Sequence, residues 1–126
     1  MRSPFKRRKR VLLLDDDPSM QRLVARILGN EGFRVDVFVT GSQAIAALER
    51  QAYDVLLLDL MMPVEGGMTV IRKLRTKNPQ MLKRSILLTA SPDSLIDALS
   101  GEVSIVVQKP FEARQLIDAV RRMSES

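Results

Sequence analysis

Short apolar runs alternate along the chain with longer segments in which apolar residues recur every three or four positions. Residues 11–14 and 55–58 are each four consecutive apolar residues, the pattern of strands buried on both faces of a sheet. Weaker strand patterns cover residues 33–39, 85–89 and 104–107. Helical spacing predicts five helices, with apolar positions beginning at Met20, Ala44, Met68, Leu95 and Leu116.

Five strands that alternate with five helices predict an α/β fold. Right-handed crossovers place the helices on both faces of a parallel sheet, so we expect a doubly wound, flavodoxin-like sheet of order 2-1-3-4-5. Local signals fit this plan. Asp17 and Pro18 are typical of a helix start, and Gly32 of a helix end. Thr40-Gly41 is interpreted as a turn, and Asn78-Pro79 as the end of the third helix.

Polar residues stand at the predicted carboxyl ends of four strands. Asp15 and Asp16 follow the first strand and Asp59 follows the third, and these two strands are neighbours where the winding reverses. The three carboxylates should therefore share one crevice. Thr89 and Lys109, which end the fourth and fifth strands, should lie at its rim. Each residue alone has a structural explanation. No such explanation accounts for the presence of all of these polar residues at one end of the sheet.

Carboxylates this close repel one another, so the cluster needs a cation. Oxygen ligands suit Mg²⁺, with Mn²⁺ as the alternative, and Lys109 adds a further positive charge. Such a site also suits a phosphoryl group, with a carboxylate as nucleophile. The chain has no cysteine and no histidine, which excludes thiolate nucleophiles, His-assisted serine chemistry and Cys/His zinc sites.

The basic character of the chain is concentrated at its start. The net charge is +5, but six cationic side chains precede residue 11, so residues 11–126 carry a net charge of −1. We predict a disordered basic arm over residues 1–10 and one domain over residues 11–126. Such an arm can contact nucleic acid or an anionic surface, but a solvated leader is the simpler interpretation, and nucleic-acid binding by the domain is not expected. No apolar run is long enough for a membrane span, and no signal peptide is evident, so we expect a cytoplasmic protein.

Residues 11–123 resemble the receiver domains of two-component response regulators. The resemblance rests on four motifs in the expected order, each at the end of a predicted strand: Leu14-Asp15-Asp16, Leu58-Asp59-Leu60-Met61-Met62-Pro63 with Gly67 beyond, Leu88-Thr89-Ala90, and Lys109-Pro110-Phe111. Each motif is weak alone. Together they cover nearly the whole chain.

The resemblance implies a role for each site residue. Asp59 would accept a phosphoryl group, and Mg²⁺ would be held by Asp16, Asp59 and the backbone carbonyl of Met61, with Asp15 acting through water. The Thr89 hydroxyl would bind a phosphoryl oxygen, and Ala90 would keep access open because it is small. Lys109 would pair with the phosphoryl group, and the Lys109-Pro110 peptide would be cis. Apart from turning over its own phosphoryl group at Asp59, the domain would not be an enzyme.

The partners implied by the resemblance are other proteins. A histidine kinase or a phosphotransfer protein would supply the phosphoryl group, and the lack of histidine in this chain agrees with a donor on another protein. The output would be a conformational change read by a downstream protein of unknown identity, and a dimer formed on phosphorylation is one form it would take. We expect no membrane partner.

The sequence departs from the family pattern at Val106, where relatives commonly carry Tyr or Phe. A stiff β-branched side chain cannot report phosphorylation by changing the position of a ring. The segment 92–103 is also unusual and should be the most divergent part. An interaction module that keeps the fold but works without phosphorylation is therefore the alternative function. A hydrolase of the haloacid dehalogenase type ranks last, because Met61 stands where such enzymes carry a second acid.

Overall fold

The computed structural model describes residues 8–62, 65–90, 103 and 105–125. Five parallel strands form one sheet of order β2-β1-β3-β4-β5, which confirms the predicted fold class. The strands are β1 (Arg10–Leu14), β2 (Arg34–Phe38), β3 (Val55–Asp59), β4 (Ser85–Thr89) and β5 (Ile105–Gln108). The helices of the described residues are α1 (Pro18–Asn30), α2 (Gly41–Arg50), α3 (Gly67–Lys77), α4 (Pro79–Leu82) and α5 (Ala113–Ser124).

Alternate residues of the central strands pack into two separate cores. On one face, Leu56 and Leu58 of β3 join side chains from α2 and α3, and on the other, Val55 and Leu57 join side chains from α1 and α5. Every residue of β3 is buried, including the terminal Asp59. The uninterrupted apolar run thus reflects burial on both faces, and Asp59 is the polar residue that ends it.

Helix ends agree with the sequence signals in most places. Asp17 caps α1 by accepting a hydrogen bond from the Ser19 amide at 2.9 Å, and Gly32, after the helix, has the positive φ of 91° that glycine tolerates best. The interpretation of Thr40-Gly41 as a turn was wrong. Thr40 is the N-cap of α2, because its side chain accepts from the Gln43 amide, and Gly41 begins the helix.

Two predicted elements differ from the structure. Helix α3 ends at Lys77 as expected, but Pro79 then begins a short helix that was not predicted, consistent with the preference of proline for the first helical position. The predicted fourth helix, around residues 95–99, lies outside the described residues.

The described part of the basic arm contacts the domain. Strand β1 begins at Arg10, and the Arg8 guanidinium donates to the carbonyl oxygens of Gly32 at 3.2 Å and Phe33 at 2.8 Å. The Lys9 ammonium donates to the carbonyl of Ser124 at 3.2 Å. Residues 8–10 are therefore part of the folded domain, contrary to a disordered arm that reaches residue 10. Residues 1–7 lie outside the described residues.

A buried tyrosine, at the edge of the sheet away from the acidic cluster, makes the stability of the fold depend on pH. The Tyr53 hydroxyl donates to Asp36 at 2.6 Å, and the Arg10 guanidinium lies 5.9 Å from the ring centroid. Burial, followed by the hydrogen bond to Asp36 and its negative charge, raises the pKa of Tyr53 to about 12. A folded-state pKa above that of the unfolded chain means that folding favours the protonated phenol.

We expect the free energy of unfolding to fall by about 1 to 2 kcal/mol as the pH rises from about 10 to about 12, beyond what a Tyr53→Phe variant loses over that range. Urea unfolding of both proteins at each pH measures the difference. Parallel pH profiles for the two proteins would show that Tyr53 does not carry the effect.

Candidate functional site

The sheet order brings three acidic residues together at the carboxyl ends of β1 and β3. Leu14 lies beside Leu58 in the parallel register, so the residues that follow, Asp15 and Asp59, lie side by side. Asp15 is completely buried, Asp59 is buried and Asp16 is exposed. Ligand oxygens from all three carboxylates lie within 4.8 Å of one another. The strand order therefore brings the three carboxylates together.

Lys109 joins the two buried carboxylates. Its ammonium lies 3.0 Å from Oδ2 of Asp15 and 3.3 Å from Oδ2 of Asp59. Burial alone would lower the pKa of Lys109, but the hydrogen bond to Asp15 and the charges of both acids outweigh it and leave the pKa above its usual value. The lysine is thus held as a cation between the two acids.

The second oxygen of each buried carboxylate accepts a hydrogen bond from the backbone. Oδ1 of Asp59 accepts from the Met61 amide at 2.9 Å, and Oδ1 of Asp15 accepts from the Asp17 amide at 2.9 Å. Each acid therefore has one oxygen on an amide two residues later and the other on Lys109. This arrangement fixes the rotation of both side chains and holds both carboxylates against Lys109.

Thr89 lies at the carboxyl end of β4, and Lys109 directly follows β5. Thr89 ends β4, is fully buried and accepts a backbone hydrogen bond from the Lys109 amide at 2.9 Å through its carbonyl. The Lys109-Pro110 peptide is cis, as the resemblance implied. Val106 lies beside Leu87 in the register and packs as a half-buried side chain against the core on the α2 and α3 side.

The donor set fits a hard divalent cation. Carboxylate oxygens are the ligands that Mg²⁺ and Mn²⁺ prefer, and the exposed Asp16 leaves one side of the cluster open to solvent. The carbonyl of Met61 was expected to be a further ligand. The Met61 amide donates to Oδ1 of Asp59, and this hydrogen bond keeps the Met61 backbone close to the Asp59 carboxylate. The acidic cluster can therefore bind a metal ion.

Sequence reasoning missed two contacts, one at Asp15 and one between the loop after β3 and α2. The Gln21 amide group donates to the Asp15 carbonyl at 2.7 Å, and Glu65 of the loop after β3 bonds with Ser42 at the start of α2. A glutamine one turn into a helix and a glutamate before two glycines carry no local signal for such contacts. The partners become neighbours only through the fold.

The loop after β3 passes close over the end of that strand, and Gly67 makes this possible. A Cβ added at Gly67 would lie 2.8 Å from the carbonyl oxygen of Asp59 and 3.1 Å from Cδ2 of Leu60. The backbone oxygen cannot move aside without moving Asp59 itself. The glycine therefore sets how closely the loop approaches the site.

We expect Gly67→Ala to lower the free energy of unfolding by about 1 to 3 kcal/mol, since the added methyl overpacks a fixed backbone. Gly29→Ala is the matched control. A Cβ at Gly29 has no neighbour within 4 Å, so alanine in that helix should be neutral or stabilising by up to about 1 kcal/mol. Urea unfolding compares the two variants, and equal effects would contradict the close approach at Gly67.

Comparison with known proteins identifies the class to which this fold and site belong. The family model of the response regulator receiver domain matches residues 11–121. The chain therefore belongs to the receiver domains of response regulators. The resemblance inferred from the four motifs is confirmed.

Individual relatives agree with this assignment. The chain is 36% identical over 116 residues to the DNA-binding response regulator MtrA of Mycolicibacterium smegmatis, covering 90% of this chain and 50% of that protein. It is 34% identical to the probable transcriptional regulatory protein TcrX of Mycobacterium tuberculosis, with coverages of 90% and 48%. The chain thus spans about half the length of the curated relatives it matches.

Solved structures show the same fold. The response regulator TrrA of Thermotoga maritima, in complex with Mg²⁺ and BeF, superposes with a TM-score of 0.80 at 30% identity, covering 91% of this chain and 98% of that one. A sensor protein from Polaromonas gives a TM-score of 0.82 at 27% identity, with coverages of 94% and 98%. No helix among the described residues is long and apolar enough to cross a membrane.

Proposed function

We propose that this domain accepts a phosphoryl group on Asp59 and relays its presence to another protein by a change of conformation. The observation that carries the proposal is the setting of Asp59. Its carboxylate ends a fully buried strand, lies in a cluster with Asp15 and Asp16, and has Lys109 at 3.3 Å. A nucleophile fixed next to a metal-binding cluster and a cation is what phosphoryl transfer requires.

The donor in this proposal is the phosphohistidine of a histidine kinase or a phosphotransfer protein. A carboxylate oxygen of Asp59 attacks the phosphorus, the new O–P bond forms as the N–P bond breaks, and the imidazole keeps the electron pair of the broken bond. Lys109 pairs with one oxygen of the incoming group, and the Thr89 hydroxyl binds another. The absence of histidine from this chain agrees with a donor on a different molecule.

The proposed metal is Mg²⁺, with Mn²⁺ as the alternative, held by Asp16, Asp59 and the carbonyl of Met61, with Asp15 acting through water. A bound ion of this kind would supply positive charge to the phosphoryl oxygens. The carboxylate ligands suit it, and a relative of 30% identity has been solved with Mg²⁺ and BeF. Apart from turning over its own phosphoryl group, the domain is proposed to have no enzymatic activity.

The output is proposed to pass through contacts with a downstream protein or a second copy of the phosphorylated domain, in the cytoplasm. The two curated relatives described above are named as DNA-binding or transcriptional regulators, and this chain matches about half of each. Nucleic-acid binding is accordingly not assigned to this domain. With Val106 packed on the core beside Leu87, the signal would pass through β4 and β5 without movement of an aromatic ring.

Binding of beryllofluoride with Mg²⁺ tests the switch, because the complex mimics a phosphoryl group on a carboxylate. We expect backbone amide shifts at Asp59, Thr89 and Lys109 to be accompanied by shifts along β4 and β5. Omission of Mg²⁺ is the control. Shifts confined to the pocket would favour an interaction module that does not depend on phosphorylation, and no shifts at all would contradict the proposed site.

A further inference from the structure

The amino-terminal end of α2 is held by the loop that follows β3. The Gly41 amide donates to the carbonyl oxygen of Glu65 at 2.7 Å, and the Ser42 amide donates to Oε1 of Glu65 at 3.2 Å. The Ser42 hydroxyl lies 2.6 and 2.9 Å from the two carboxylate oxygens of Glu65. We call these contacts the Glu65 clamp.

The clamp completes the hydrogen bonding of the first turn of α2. A helix begins with amides that have no partner within the helix, and here Gly41 and Ser42 donate to Glu65 while Gln43 donates to the Thr40 hydroxyl at 3.2 Å. A carboxylate at this end also meets the positive end of the helix dipole. The contact is exposed, so its contribution to overall stability is small and its main effect is on geometry.

The clamp joins two segments that are 23 positions apart in the sequence. Glu65 is followed by Gly66 and Gly67, where an added Cβ would lie 2.9 Å from Cβ of Met62 and 2.8 Å from the carbonyl oxygen of Asp59. Helix α2 follows β2, whose last residue, Phe38, accepts a hydrogen bond from the Asp15 amide at 3.1 Å. Glu65 thus joins the start of α2, the helix that follows the strand supporting Asp15, to a segment in close contact with Asp59 and Met62.

We propose that Glu65 is a positioning residue for the metal site, setting the loop so that Met61 and Asp59 can bind one cation together. This inference rests on the proposed function, because it takes Met61 and Asp59 as ligands. A residue that only capped α2 would change the stability of the domain and leave its affinity for Mg²⁺ unaltered. Metal affinity therefore distinguishes positioning from capping.

The test is the dissociation constant for Mg²⁺, measured by calorimetry at constant ionic strength, together with urea unfolding. Glu65→Ala should weaken Mg²⁺ binding about tenfold, as the loss of an orienting outer contact does in other metal sites. Ser42→Ala changes no charge and should weaken binding about threefold, since the Ser42 amide can still donate. Glu65→Gln keeps the acceptor oxygen and should restore most of the affinity.

Glu49→Gln is the charge control, because Glu49 is an exposed acid on α2 outside the clamp and should bind Mg²⁺ as the wild type does. Wild-type affinity in Glu65→Ala, with or without lower stability, would overturn the inference. So would a Glu65→Gln variant as weak as Glu65→Ala, since charge and not geometry would then be responsible. Failure of the wild-type protein itself to bind Mg²⁺ would instead contradict the proposed function.

Discussion

Replacing Lys109 with methionine is expected to lower the free energy of unfolding by about 2 to 3 kcal/mol when no divalent cation is present. The substitution leaves the buried carboxylates of Asp15 and Asp59 facing each other without the ammonium that lies 3.0 and 3.3 Å from them. Loss of one partner from a buried ion pair costs about 3 to 5 kcal/mol, and the partial exposure of the lysine reduces that figure.

Urea unfolding with and without Mg²⁺ measures this effect. A divalent cation in the acidic cluster should return part of the lost stability, because it replaces the missing positive charge. Lys73→Met is the control, since Lys73 is an exposed lysine on α3 and its loss should change stability by less than about 0.5 kcal/mol. Equal destabilisation by the two variants would mean that the lysine between the acids has no special role.

Asp59→Asn is expected to abolish phosphorylation while leaving the fold intact. An amide cannot act as the nucleophile, but it keeps an oxygen that can accept from the Met61 amide. The substitution also removes one charge from a cluster whose oxygens lie within 4.8 Å of one another. Relief of like-charge repulsion is offset by the loss of the carboxylate oxygen that lies 3.3 Å from Lys109, so we expect the free energy of unfolding without metal to change by less than about 1 kcal/mol.

Transfer from a phosphorylated histidine kinase and urea unfolding check the two parts of this prediction separately. Asp17→Asn is the control, because Asp17 is exposed and caps α1. Protein with this substitution should still accept the phosphoryl group at Asp59. Transfer to Asp59→Asn at the wild-type rate would place the acceptor elsewhere. A large loss of stability in Asp59→Asn would mean that its charge mainly supports the fold.

The acidic site could be predicted from sequence because it follows from local patterns and one rule of topology. Val55 to Leu58 form an apolar run that needs burial on both faces, and the alternation of strands and helices dictates a parallel sheet. Once the order 2-1-3-4-5 is adopted, Asp15 and Asp59 must meet at one edge. The predicted cluster required no knowledge of side-chain conformations.

What the sequence could not supply depends on how neighbours pack. Asp15 and Asp16 are adjacent and chemically equivalent. Asp15 is nevertheless completely buried and paired with Lys109, whereas Asp16 is exposed. Which of the two points inward is decided by where β1 ends and how the chain turns into α1. The Glu65 clamp is harder still to predict from sequence, since Ser42 and Glu65 are 23 positions apart and neither residue is one of the four motifs' named positions.

Residues 8–10 show a different reason for error. Their charges suggested a solvated arm, because runs of basic residues are usually exposed. In the structure the backbone carbonyls of Gly32 and Phe33, at the end of the α1 to β2 connection, accept hydrogen bonds from Arg8. The charge of a side chain can be known from the sequence. The backbone carbonyl groups that lie within its reach are known only from the fold.

Intact-mass measurement after incubation with acetyl phosphate tests whether Asp59 is a phosphoryl acceptor that depends on a divalent cation. We expect wild-type protein to gain the mass of one phosphoryl group when Mg²⁺ is present and little when the ion is chelated. Asp59→Asn should gain none under either condition. An equal gain by the Asp59→Asn variant would place the acceptor at another residue, and no gain by wild-type protein with Mg²⁺ would show that Asp59 is not an acceptor.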